Sequence, residues 1–300
     1  MMITRTRFKL ILGVLLPAYL SAYGGEMIQN MDSAEKKFNE RQSRELVAFM
    51  SLETMFPDPK ARALAKAAGA GNIKKIEQLV NDGVSVNSKG TNDATPLFWA
   101  MSNFNGFKRL LELGADPNVV FGDGGSVMHW AVTAKDERIL KAALEHGGNP
   151  NLKAGQSEGT PLFEALSMGT KVVDTLLDAG ADINSKDKDE DTPVMIAAGS
   201  GRFEIVYQLL ERGADYRIKN RNGRDLADRV ASKRGLLKPE SESAKWMEKV
   251  IEWLQGKGVV IPPNPRDQAD RTKRTGSAPY HCGAGSNSLL DARGRKKGSA

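Results

Sequence analysis

A glycine returns along this chain at a nearly constant interval, and each time it opens the same short phrase. The phrase reads G-V-S-V-N at Gly83–Asn87, G-A-D-P-N at Gly114–Asn118, G-G-N-P-N at Gly147–Asn151, G-A-D-I-N at Gly180–Asn184 and G-A-D-Y-R at Gly213–Arg217. Successive glycines stand 31, 33, 33 and 33 residues apart. A fixed period in this range marks stacked supersecondary units, none of which can bury its own apolar face alone. Three hundred residues then need no second domain, because a solenoid grows by addition.

A second phrase recurs between the glycines. Thr95–Ala100 reads T-P-L-F-W-A, Ser126–Ala131 S-V-M-H-W-A, Thr160–Ala165 T-P-L-F-E-A and Thr192–Ala197 T-P-V-M-I-A. The Thr or Ser offers a hydroxyl to the unpaired N–H groups of a first helical turn, and Pro next to it starts a helix without losing a bond. Small alanines let neighbouring inner helices approach closely. A second helix follows, with paired apolar residues such as Ile205, Val206, Leu209 and Leu210 on one face. The glycine beyond it suits a left-handed helix cap.

These phrases resemble the T-P-L-H-x-A signature of ankyrin repeats, over roughly Asp58 to Ile261. The resemblance implies an all-α ankyrin-repeat solenoid of about six helix-turn-helix repeats, with worn repeats at both ends. At the first, Ala67–Gly71 followed by Ile73, Ile76, Leu79 and Val80 lacks the T-P-L-H phrase. At the sixth, Asp225 takes the capping place, Trp246–Leu254 forms the outer helix before Gly258, and Ser232–Ala244 holds an insertion.

Four segments follow: 1–24 a signal peptide, 25–57 an N-terminal capping helix segment, 58–261 the repeats and 262–300 a disordered basic tail. Arg5, Arg7 and Lys9 precede an apolar stretch, Leu10–Leu20, and the small residues Ala22 and Gly24 suit cleavage. That stretch is short of the about 20 residues a membrane span needs, so an integral span is not expected. Export predicts a periplasmic or secreted protein. Asp32–Met55 reads as an amphipathic helix ended by Pro57 and Pro59. Its expected role is to cover the open side of the first repeat.

The formal net charge of +6 sits at the termini. The tail from Pro262 carries eight Lys/Arg against three Asp, and the first ten residues carry three more cations. The remainder is slightly acidic and lacks the basic surface that nucleic acid requires. A single cysteine, Cys282, excludes a disulfide scaffold.

The parts of an enzyme are not assembled in the sequence. His129 occupies the family's T-P-L-H position, where the imidazole is expected to bond backbone and capping hydroxyls. His146 falls at a helix end, and His281 in the tail. Asp187, Asp189 and Asp191 mimic the start of a calcium loop, but the required glycine is Thr192 and the bidentate glutamate is Ala198. Gly69–Gly71 and Gly122–Gly125 fall at turns rather than after strands, so nucleotide binding is rejected. No cofactor and no metal are expected, and no catalytic residue.

Binding is the function that remains, with another protein as partner and the free chain monomeric. Counting four residues on from each cap gives an inner-helix stripe of Trp99, Trp130, Glu164, Ile196 and Arg229, with Lys66 equivalent in the first repeat. Tryptophan and arginine carry interface energy more often than other residues. The two indoles serve equally well as packing between repeats, and the sequence leaves both roles open. Hairpin tips add Asp93, Phe121, Asp123, Glu158 and Asp189, with Phe121 expected to face solvent as a large hydrophobe on a finger. The resemblance extends to exported bacterial ankyrin-repeat proteins, some similar to immunity proteins against toxins such as type VI secreted phospholipases. It implies a toxin, effector or enzyme as the partner. An accessory scaffold for a periplasmic enzyme or stress-response factor, and an effector sent into a host, are the alternatives.

Overall fold

The computed structural model describes residues 51–122 and 124–263. Among them a short helix α1 (Leu52–Met55) precedes six helical hairpins. These are α2 (Pro59–Gly69) with α3 (Ile73–Asn81), α4 (Pro96–Trp99) with α5 (Phe104–Glu112), and α6 (Val127–Val132) with α7 (Glu137–Glu145). They continue with α8 (Pro161–Ala165) and α9 (Thr170–Asp178), α10 (Pro193–Gly199) and α11 (Phe203–Glu211), α12 (Leu226–Lys233) and α13 (Glu242–Gly256). The even-numbered inner helices line up on one side, and α4, α6, α8 and α10 carry the recurring T-P-L-H-like phrase. The outer helices, α3 and every odd-numbered helix after it, back them, and fingers join one hairpin to the next.

Helix ends follow the sequence closely. Asp58, Thr95, Ser126 and Asp225 each accept from the backbone N–H three residues on. Thr160 and Thr192 depart from that expectation, for neither makes a side-chain cap. The Thr160 hydroxyl instead meets Ser185 Oγ at 3.3 Å. The closing glycines Gly83, Gly114, Gly147, Gly180 and Gly213 all have φ between 84° and 92°. There the Gly83 N–H donates to the Val80 carbonyl and the Val84 N–H reaches back to Leu79, the paired bonds that satisfy a helix end.

One apolar core runs the length of the stack, from Leu64 through Leu110, Ile139, Leu176 and Leu209 to Leu254. The closest approach is at Gly106 of α5, where an added Cβ would stand 1.8 Å from the Ala68 carbonyl oxygen of α2. At the last repeat, α13 begins at Glu242, one turn before the expected Trp246, with Ser241 as its cap. Its Trp253 indole N–H donates to Glu211 at 2.7 Å and its ring meets Tyr216 edge-on. A continuous helix from Asp32 through Met55 is not what forms. Ser51 is extended (φ −69°, ψ 156°) and caps a new helix through the Thr54 N–H. The expected capping segment before Ser51, the expected export signal and the basic tail with Cys282 and His281 lie outside the described residues.

The asparagine that ends each glycine phrase spans two repeats. Asn151 Nδ2 donates to the Gly180 carbonyl at 3.0 Å while its Oδ1 accepts from the Asp182 N–H at 2.7 Å. Asn87 makes the same pair with Gly114 and Asp116, and Asn118 with Gly147 and Asn149. Each amide thus measures the distance to the next glycine phrase, which explains why the period tolerates so little variation. In the last phrase Arg217 stands at this place and turns to Asp215. Asn151→Ala should lower stability by about 1 kcal/mol, the loss being modest because water reaches the freed groups. Asn151→Asp should cost at least as much, since a carboxylate cannot donate to Gly180. Urea midpoints of the two variants at neutral pH test this ordering.

Candidate protein-binding face

The inner-helix stripe emerges where helical geometry puts it. Trp99, Trp130, Ile196 and Arg229 are half-buried and Glu164 is exposed, whereas the next residue in each repeat (Ala100, Ala131, Ala165, Ala197, Val230) is buried. The two indoles have different surroundings. Trp99 meets Phe56 edge-on, with ring centres 6.5 Å apart. Its ring lies over Gly69, where an added Cβ would come within 2.8 Å of the indole. Trp130 meets Phe98, with centres 5.7 Å apart.

Two open cavities share Trp130 and Thr133. One, of about 390 Å³, runs between Trp99 and Trp130 along Met55, Phe98 and Met101. The other, of about 220 Å³, lies between Trp130 and Phe163, with Glu164 and Ser157 at its walls. Phe98 and Phe163 stand in the fourth place of the T-P-L-H phrase, where only the third repeat keeps histidine. Sequence reasoning passed over them, although their departure from the phrase was the available signal. Met55 carried no such signal, because it reaches the groove through the packing of α1.

Phe121 requires a correction. It is 3% exposed, and its ring stands 4.9 Å from that of Phe98. The finger folds back on itself, Phe121 N–H donating to the Gly125 carbonyl and Gly124 N–H to that of Phe121. This turns the ring inward, and Val120, at 42%, is the exposed hydrophobe there. Asp123 lies outside the described residues.

The remaining finger residues are exposed or partly exposed. Asp93 pairs with Lys89 at 3.1 Å and Asp189 with Arg221 at 3.6 Å, whereas Glu158 stands exposed at φ 52°. Neighbouring fingers are tied by backbone bonds, Gly122 N–H to Asn92 and Lys188 N–H to Ser157. Arg229 is already engaged. Its Nη2 reaches both oxygens of Asp191 at 2.7 Å, and Asp191 also accepts from Asn220 Nδ2. Asp187 receives the N–H groups of Asp189 and Asp191, so these carboxylates close a finger and anchor its neighbour. Among the described residues there is no His, Cys, Asp and Glu grouping suited to a metal ion.

His129 binds Ser126 Oγ through Nδ1 at 2.7 Å and the Gly159 carbonyl through Nε2 at 3.0 Å, joining the third repeat to the fourth. With both ring nitrogens committed to structure, this imidazole is a strut.

Residues 104–187 and 128–220 match the family described as ankyrin repeats in three copies. The fold is an ankyrin-repeat solenoid. One chain of the solved complex of a predatory endopeptidase from Bdellovibrio bacteriovorus with an immunity protein is similar to it. Identity is 24% and the TM-score 0.52, over 62% of this chain and 97% of that chain. At that identity the likeness is one of fold. No curated protein matches the sequence. The ankyrin fold presents its inner helices and fingers as one surface, which points to a binding module rather than a catalyst. No helix among the described residues is long and apolar enough to cross a membrane.

Proposed function

We propose that this ankyrin-repeat protein is exported to the periplasm and binds and neutralises a bacterial toxin or effector, in the manner of an immunity protein. The observation that carries the reading is the aromatic groove around Trp130, open on both sides of the indole and set among exposed finger residues. A solvent-facing surface of this composition suits a protein partner. The complex of an endopeptidase with an immunity protein, in which a chain of the same fold takes part, supports the choice of an effector as the partner. The charged start and short apolar run of residues 1–24 support export.

The two tryptophans should separate in experiment. Trp130→Ala should weaken partner binding by about thirtyfold, near 2 kcal/mol, with little change in melting temperature. Trp99→Ala should lower the melting temperature by several degrees, because its indole fills the space between Phe56 and Gly69. Capture of partners with the wild-type chain and the Trp130→Ala variant, followed by co-expression of each specific partner with either form, tests the function. A toxic partner rescued by the wild type and not by the variant is the expected result. A harmless partner whose activity the chain leaves intact or raises would replace neutralisation by a scaffold role. Intact mass of chain recovered from periplasm should lack the signal, and full-length chain in the cytoplasm would overturn export.

A further inference from the structure

We propose that the cavity between Trp130 and Phe163 is a receptor for one cationic side chain, an arginine or lysine presented by the bound protein. This deepens the proposed binding function and rests on it for the claim that the cation belongs to a protein. The cavity holds about 220 Å³, the share of roughly seven waters in the liquid, which suffices for one long side chain. Two of its walls are aromatic, and the faces of such rings attract a cation through their quadrupole. Glu164, on the stripe position of the fourth repeat, supplies a carboxylate to the same cavity. No lysine or arginine lines it. The carboxylates of Glu164 and of Glu158 on the adjoining finger form no ion pair or hydrogen bond with another described residue, Ser167 Oγ donating to the Glu164 backbone carbonyl instead. Those two acids give the mouth negative charge, and no lysine or arginine stands among the lining residues to pair with it.

Chemistry on the opposite side of Trp130 says what accompanies the cation. There the larger groove is lined by Met55, Met101, Phe98 and Trp99 and carries no charged side chain. A partner that seats its cation between Trp130 and Phe163 would lay an apolar neighbour over the sulfurs and rings of that groove. Methionine adapts to irregular apolar shapes, so this half tolerates variation while the cation fixes the register. The single histidine of the repeat phrase, His129, borders the cation cavity with its ring tied to Ser126 and Gly159. It holds the wall in place.

The test uses the purified full chain and small probes, so it is independent of any effector. Blocked arginine, lysine and norleucine (N-acetyl, N-methylamide) are titrated while the four indole N–H resonances are followed, with Trp130→Phe assigning the relevant one. The cationic probes should shift the Trp130 resonance saturably and leave those of Trp246 and Trp253 in place. Norleucine, equal to lysine in stem and lacking its charge, should bind about tenfold more weakly. Glu164→Gln should weaken both cationic probes about fivefold and leave norleucine unchanged, with the spectrum otherwise preserved because the bond from Ser167 goes to the Glu164 backbone carbonyl and survives the change. Norleucine matching the cations, or Glu164→Gln binding them as the wild type does, would overturn the proposal. Neutralisation failing while the cationic probes still bind would overturn the effector reading and leave the cation cavity standing.

Discussion

Gly106→Ala should destabilise the stack by about 3 kcal/mol, although alanine is favoured over glycine inside a helix by about 1 kcal/mol. The sign follows from position. A Cβ on Gly106 would stand 1.8 Å from the Ala68 carbonyl oxygen and 2.7 Å from its carbon, and both atoms belong to the backbone of α2. No side chain can swing aside, so α5 must move away from α2 and open the core around Leu64, Phe107 and Leu110. In a solenoid the loss falls on the interface between the first two repeats. Amide exchange should therefore show protection falling in α2 and α3 and persisting in α9 to α13. Gly199→Ala is the control. Nothing lies within 4 Å of its added Cβ, and the variant should be unchanged or slightly more stable. Equal midpoints for both variants would show that the close contact of α5 with α2 does not govern stability.

Helices were legible in the sequence because their constraints are local. A capping Thr or Ser, often a following Pro, and an apolar pair at helical spacing act within one turn or two; they placed four of the six inner helices, and a capping Asp225 placed the sixth. The first repeat has no T-P phrase, and its inner helix begins instead at Pro59 behind Asp58. Fingers obey partners that lie a whole repeat away. Whether Phe121 faces water depends on the Gly122 N–H binding Asn92 and on Phe98 waiting beneath, and neither lies within its own finger. The asparagine clamp was visible as a repeated letter, but its work was not, since its acceptor and donor stand 29 and 31 residues further on at Asn151. Arg229 illustrates both halves. Helical counting put it on the right face, and a carboxylate 38 residues earlier decided that its charge was already taken.

That carboxylate, Asp191, and its neighbour Asp187 should respond oppositely to neutralisation. Asp191 is 7% exposed, with Arg229 on one side and Asn220 on the other. Asp191→Ala leaves a largely buried guanidinium without its counter-charge and Asn220 Nδ2 without an acceptor. Removing one member of such a pair costs about 3 kcal/mol. Arg229→Met in the same chain should recover part of that loss, because the stranded charge goes with it. For Asp187, burial raises the carboxyl pKa above its ordinary value and outweighs the backbone N–H groups of Asp191 and Asp189 that favour the anion. The folded protein thus holds this proton more tightly than the unfolded chain does. Its charge opposes folding above the folded pKa, and the penalty fades as pH falls through that value. Asp187→Asn keeps an oxygen for the two N–H groups and removes the charge. It should raise stability at pH 7 by less than about 0.5 kcal/mol, the group being only half-buried and screened by solvent. The gain should vanish toward acid pH. Urea unfolding of the two single variants and the Asp191→Ala, Arg229→Met double variant, at pH 7 and again near pH 4, separates the roles. If Asp191→Ala unfolds at the wild-type midpoint, the Asp191–Arg229 pair contributes nothing to the joint between the fifth and sixth repeats. Arg229 would then be free to meet a partner.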